Sequence, residues 1–191
     1  MLFLTALLAC APETLPAEQD ASATPEPALS FVPYSDDGAV VASVDPARYV
    51  GVWYEIATTG SFQQQQCTGT TATYKALNDT TVEVLNQCYV GTLDGPLNEI
   101  VGTATAVDDT FSRLLVDFNL GFEAPYDIVE LDGAAGEDPY EFAAVSSLDG
   151  LQVWVLARTP DLDDETYDAI LDRLDARGME PERLVRTEHA D

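Results

Sequence analysis

Three cysteines and one histidine carry most of the reactive chemistry that this 191-residue chain offers. Cys10 closes an apolar run, Met1 to Ala9, and is followed by Pro12 and Glu13. The run has the length of a signal-peptide core and is too short to span a bilayer as a helix. Leu7-Leu8-Ala9-Cys10 reads as a lipobox, the site where a signal peptidase cuts before a cysteine that carries a diacylglyceryl group and an N-acyl chain such as palmitate. On that reading residues 1–9 are a lipoprotein signal peptide and Cys10 is the lipidated N-terminus. No Lys or Arg precedes the run, which departs from the usual charged start. Three buried acyl chains, at about 0.8 kcal/mol per methylene, would hold such a chain to a membrane stably.

Removing Cys10 to lipidation leaves an even pair, Cys67 and Cys88, in an exported chain, and the expectation is a disulfide. Segments 68–76 and 81–90 look like strands joined at Leu77-Asn78-Asp79-Thr80. Folding them about that turn sets residues opposite one another so that the two cysteines fall within one bulge of register. Closing that loop is worth about 3 kcal/mol of chain entropy. As metal ligands the pair makes half a site, with no histidine near it. His189 lies close to the C-terminus in a tail expected to fray, so neither histidine acid–base catalysis nor a histidine-ligated haem is expected. No G-x-S-x-G, Walker or Rossmann glycine pattern occurs. Carboxylates number 34 against eight basic residues, so some pair fits any glycosidase spacing by chance and none is singled out. The net charge of −26 removes nucleic acid as a partner. Together these readings predict a protein that is not an enzyme and holds neither cofactor nor metal.

The elements that must position anything functional are strands. From Cys10 to residue 43 the chain is rich in Pro, Ala and Glu and reads as a lipidated cysteine followed by a flexible tether, with Phe31, Val32 and Tyr34 placed to touch a folded domain. Residues 44–191 form that domain. Short apolar-alternating runs separated by turn residues predict strands at 51–59, 68–76, 81–90, 97–107, 112–120, 126–132, 140–147 and 151–158. Eight strands closed into a barrel leave room for one small apolar ligand. After Pro160 the period changes: Asp163 is an N-cap, Tyr167, Ile170, Leu171 and Leu174 share a helical face, and Gly178 ends the run.

Asp45 to Ala57 reads Asp-Pro-Ala-Arg-Tyr-Val-Gly-Val-Trp-Tyr-Glu-Ile-Ala, and two further blocks follow in order, Tyr126 to Asp132 and Val153 to Pro160. These resemble the three motifs of the lipocalins, over about Val44 to Thr187. Within that family the chain is most similar to the bacterial outer-membrane lipoproteins and the apolipoprotein D subgroup. The resemblance implies an all-β fold: an eight-stranded antiparallel up-and-down barrel with one C-terminal α-helix packed outside and Leu184 to Arg186 returning beside the first strand. It assigns structural roles to Gly51, Trp53 and Arg158, the arginine lying across the indole, a contact worth about 0.5–2 kcal/mol. It implies a membrane-anchored protein, facing the periplasm from the outer membrane, that binds and stores or transports small hydrophobic ligands, foremost fatty acids or lysophospholipids, in envelope maintenance. It leaves a homodimer open. A lipocalin-fold enzyme of the isomerase or reductase type, and an interaction protein with a filled barrel, are the alternatives.

Alternation gives the expected lining. Ala72 and Tyr74, Val82 and Val84, Leu114, Val116 and Phe118, and Tyr140 and Phe142 lie on the more apolar sides of their strands. For the two strands that are apolar on both sides, Arg158 and Trp53 set the register and favour Tyr126, Ile128, Trp154 and Leu156. Trp53 plugs the floor with its upper edge toward the ligand. Few cations are available for a charged head, and Lys75 and Arg113 are expected near the mouth, so the head stays near solvent and the tail is buried.

Overall fold

Asp45 starts the barrel. Its carboxylate accepts a hydrogen bond from the Ala47 amide at 2.9 Å, and Pro46 occupies the first helical position, where its missing N–H has no partner to lose. The result is a one-turn helix, α1 (Pro46–Tyr49). Gly51, at φ +105°, then bends the chain into β1 (Gly51–Thr58), a conformation a side chain would strain.

The computed structural model describes residues 29–60, 66–148 and 150–190. After β1 come β2 (Cys67–Asn78), β3 (Thr81–Val90), β4 (Leu97–Ala106), β5 (Arg113–Asp117), β6 (Glu123–Leu131), β7 (Phe142–Ser147) and β8 (Gln152–Ala157). Each pairs antiparallel with the next, and β1 pairs with both β2 and β8, which closes the sheet into an eight-stranded antiparallel barrel. β2 and β3 run from Cys67 opposite Val90 to Asn78 opposite Thr81, and the disulfide Cys67–Cys88 staples them as expected. One end of the barrel carries α1, the loop 132–141 and Arg158, and is the floor. The other end, where β3 meets β4 and β7 meets β8, is the mouth.

α2 (Asp164–Ala176) is capped by Asp163, whose carboxylate accepts from the Thr166 amide at 2.8 Å, and it stops before Gly178 at φ +71°. Its buried side chains Tyr167, Ile170 and Leu174 pack on the outside of the barrel against Ile56, Val129, Phe142, Val153 and Val155. Beyond a 3-10 turn at Pro181–Arg183, β9 (Val185–Arg186) pairs with Ala57 and Thr58 of β1. The tail does not fray as expected. The Thr187 amide donates to Ile56 O at 3.0 Å, Glu188 O accepts from the Gly69 amide at 2.7 Å and from Thr68 Oγ1 at 3.1 Å, and His189 Nε2 lies 2.7 Å from Glu55 O. The pairing of β1 with β2 runs only from Gly51 to Tyr54, so above that point both strands carry open backbone groups, and the tail fills the gap.

The tether expectation also changes. Residues 29–43 are part of the folded unit: Phe31 bridges to Asp132, Tyr34 bridges to Val41, and Val40 and Val41 are buried. Glu130, fully buried, holds this segment to α2. It accepts hydrogen bonds from Tyr34 Oη at 2.5 Å and Arg173 Nε at 2.6 Å and sits 3.4 Å from Arg177 Nη1. Arg177 also donates to the carbonyls of Val129 and Ala39. Residues 1–28, with Cys10 and the expected signal peptide, lie outside the described residues.

Candidate ligand-binding site

The floor is built around Trp53, which is fully buried. Its indole N–H donates to Tyr49 O at 2.8 Å, and the Arg158 guanidinium lies 3.8 Å from the ring centre on the outer side. Arg158 spends its donors on four carbonyls: Tyr140 at 2.9 Å, Val52 at 2.9 Å, Arg48 at 2.8 Å and Tyr49 at 3.2 Å. One cation therefore ties α1, β1 and the loop before β7 together beneath the indole. A side chain at Gly51 would meet Arg158 Nη1 at 3.3 Å, so this glycine serves both the bend and the close approach.

Above the floor, nine of the residues expected to line the barrel fall in one buried interior cluster: Trp53, Tyr74, Val82, Val84, Leu114, Val116, Ile128, Tyr140 and Leu156. Ala72, Phe118, Tyr126 and Trp154 are partly buried and pack against it. Tyr140 sits at the floor, its hydroxyl accepting from the Asp45 amide at 3.0 Å while Arg48 covers its ring. Phe142 is a correction. It faces outward, 5.2 Å from Phe31 and under α2, while Ala143 and Val145 take the interior positions of the same strand. All six residues of β7 are buried, so its two sides show no polarity contrast, and the larger side chain lies where helix and sheet leave space.

Lys75 and Arg113 are a second correction. Lys75 follows Tyr74, which stands opposite Gly51 at the floor end, and Arg113 begins β5 at the same end and pairs with Asp37 at 2.7 Å. Neither borders the mouth. The other basic residues are also committed outside the interior: Arg48 over Tyr140, Arg158 beneath Trp53, Arg173 and Arg177 on Glu130, Arg183 on Glu180, and Arg186 over Tyr167. The eight basic residues of the chain are thus all placed, and none enters the lumen.

Sequence reading missed the polar members of the interior. Glu55, opposite Leu156 and 5% exposed, accepts from Thr187 Oγ1 at 2.7 Å. Asn86 stands opposite Ala72, and Thr70 is buried. The period of two that selected Trp53, Val82 and Val84 also passes through Glu55 and Asn86, so the signal was there but was overruled by polarity. Tyr49, placed in the helical turn, turns its ring inward onto Trp53 at 5.1 Å. Its hydroxyl lies 2.8 Å from that of Tyr126, which lies 2.8 Å from that of Tyr74. Burial pushes the Tyr49 and Tyr126 phenols well above the ordinary tyrosine range and that of Tyr74 up to about 12, so all three stay neutral.

A closed barrel with an arginine-backed tryptophan floor and an apolar interior matches the family model described as a lipocalin-like domain over residues 44–189. The chain belongs to the lipocalin family. It is similar to the outer membrane lipoprotein Blc of Vibrio cholerae, 30% identical over 146 residues that cover 76% of this chain and 82% of that protein. It is likewise similar to apolipoprotein D of Mus musculus, 30% identical over 156 residues and 80% of each chain. Among solved structures, lobster apocrustacyanin A1 shares the fold at TM-score 0.61 and 18% identity, covering 77% of this chain and 81% of that one. Lipocalins bind small hydrophobic ligands, and the apolar interior of this one accords with that.

Proposed function

We propose that this lipocalin binds fatty acids or lysophospholipids in its barrel and stores or carries them in the bacterial envelope, held to the outer membrane, facing the periplasm, by a lipid on Cys10. The observation that carries the reading is the charge layout: a mostly apolar interior that no basic side chain enters, with Arg158 on the far side of the Trp53 indole and Arg173 and Arg177 on Glu130. A buried carboxylate or phosphate would have no counter-ion there, so the ionic head stays at the mouth and affinity comes from the tail, at roughly 25 cal/mol per Å² buried. Similarity to Blc, whose name carries the outer-membrane location, supports the anchor. The reading needs one barrel and no partner subunit. It assigns no catalysis, since Cys67 and Cys88 are bonded to each other and no thiolate is available from them.

Native mass spectrometry of the chain purified from membranes, followed by organic extraction, tests the ligand. A stoichiometric acyl lipid is expected. An empty chain whose Trp154 fluorescence ignores added lysophosphatidylcholine would refute it and favour a filled barrel. For the anchor, Cys10→Ser should move the protein from the membrane pellet to the soluble periplasmic fraction. Continued pelleting would refute lipidation.

A further inference from the structure

The three phenols at the bottom of the barrel have more protons than they can use on one another. Tyr126 Oη sits 2.8 Å from Tyr49 Oη and 2.8 Å from Tyr74 Oη, and these two contacts consume two of the three hydroxyl protons. If Tyr49 and Tyr74 both donate to Tyr126, the proton of Tyr126 is left over. If Tyr126 donates to one of them, that neighbour's proton is left over instead. Either arrangement keeps one O–H donor with no phenolic acceptor. The hydroxyls have no other hydrogen bond among the described residues. Tyr49 and Tyr74 are 2% and 6% exposed, whereas Tyr126, which packs against the interior cluster, remains partly exposed and is the member of the three that a guest can reach.

We propose that this cluster is a binding site for a neutral oxygen, a hydroxyl, ketone or ester carbonyl, carried on the inner end of an otherwise apolar guest. The inference rests on the barrel binding lipids tail-inward and adds what the inner end of the preferred ligand looks like. A plain methyl end would leave the spare O–H unmatched in an apolar pocket, which is unfavourable. A carboxylate there would be a buried charge, with Arg158 screened from it by the indole and the nearest interior carboxyl, Glu55, of the same sign. A neutral acceptor completes the hydrogen bonds of the cluster at no charge cost, and being neutral itself the cluster neither demands nor repels an ion.

The test compares ω-hydroxy fatty acids with their unsubstituted parents over twelve to eighteen carbons, a probe range set by the experiment, by calorimetry or tryptophan quenching. The proteins are the unaltered chain and a variant with Tyr49→Phe, Tyr74→Phe and Tyr126→Phe together, which removes every partner at once and keeps the rings. In the unaltered chain the best-fitting ω-hydroxy acid should bind at least as tightly as its parent. In the variant, whatever its affinity for the parent, the ω-hydroxy acid should fall behind that parent by about three- to ten-fold. A preference unchanged within twofold between the two proteins, at every length, overturns the site while leaving lipid binding intact. Failure of the unaltered chain to bind either series overturns the lipid reading and this inference with it. Should the variant not fold, the carbonyl stretch of an isotope-labelled ω-keto acid bound to the unaltered chain decides the matter. A shift to lower frequency than in hydrocarbon solvent is expected, and an unshifted band refutes the hydrogen bond.

Discussion

Glu130 is where a single carboxylate holds three parts of the molecule. Its carboxylate is fully buried and meets Arg173 at 2.6 Å, Arg177 at 3.4 Å and the Tyr34 hydroxyl at 2.5 Å, joining β6, α2 and the segment before α1. Replacing it by Gln keeps the shape and removes the charge. The two guanidiniums, with side chains 31% and 11% exposed, would then face each other across an amide whose N–H₂ has no acceptor on that side. Breaking a buried pair by removing one partner costs about 3–5 kcal/mol, because the surviving charge stays desolvated. For a domain of this size about 2–4 °C of melting temperature accompanies each kcal/mol, so Glu130→Gln should lower Tm by roughly 6–20 °C. Differential scanning calorimetry of Glu130→Gln, Arg177→Met and the double variant checks the reasoning. The double variant should lose less than the sum of the singles, by 1 kcal/mol or more on the order of such coupled pairs. A drop below about 3 °C for Glu130→Gln, or strict additivity, would show that solvent reaches the cluster and that its burial is not what matters.

Opening the Cys67–Cys88 bridge, which closes a separation of 21 residues, should cost about 3 kcal/mol on chain-entropy grounds, read as a lowered denaturation midpoint for the double Ser variant. An unchanged midpoint would mean that the hairpin of β2 and β3 is already held in the unfolded chain. Stability should also fall steeply in alkali. Tyr49, Tyr74 and Tyr126 have raised pKa values, Tyr74 up to about 12, so their contribution is complete below the unfolded value near 10 and is lost as pH climbs toward the folded values. For Tyr74 the loss is at most about 1.4 kcal/mol per pH unit between 10 and about 12, and Tyr49 and Tyr126 add to it in the same direction. Urea midpoints between pH 9 and 12 measure it, and a flat profile would place the phenols in contact with water. Placing a side chain at Gly102 should disturb the interior directly: a Cβ there would stand 2.5 Å from the Phe118 ring and 2.7 Å from Asp117 O, so Gly102→Ala should destabilise the chain and weaken lipid binding together. Unchanged binding of lysophosphatidylcholine would remove Phe118 from the ligand path.

The strands were legible because a barrel wall with one dry face writes itself in alternation. β3 shows it cleanly, with Val82 and Val84 buried and Thr81 and Glu83 less so. The helix was legible for the same kind of reason, through Tyr167, Ile170 and Leu174 at helical spacing. Phe142 was misplaced because β7 is dry on both sides, one facing the interior and the other α2, and a pattern of two needs a wet side to be read. Glu130 sits in such a strand too. Nothing local explains a buried acid until Arg173 and Arg177, four residues apart on one face of α2, are brought to it by the fold. The segment 29–43 reads as the end of the tether because Pro33, Asp36, Asp37 and Gly38 break its apolar residues into runs too short to show a period, yet Val40 and Val41 are buried and the segment docks once the barrel supplies Ile128 O and Leu131 O as acceptors. The tyrosine cluster draws one residue each from α1, β2 and β6, so no window of sequence contains it.

The segment 29–43 joins the barrel at its floor, where Ser30 O accepts from the Gly133 amide at 3.0 Å and Phe31 lies beside Asp132. That attachment gives the molecule a heading. Under the anchor proposed at Cys10, the closed end of the barrel is the end joined to the membrane-bound part of the chain. Ala11 to Ala28 span at most about 60 Å when drawn straight. Under that same anchor the mouth lies at the end of the barrel away from the point of attachment. Loading from the anchoring leaflet would then require the barrel to turn its mouth back past its own point of attachment, a reorientation that loading from the facing side does not need.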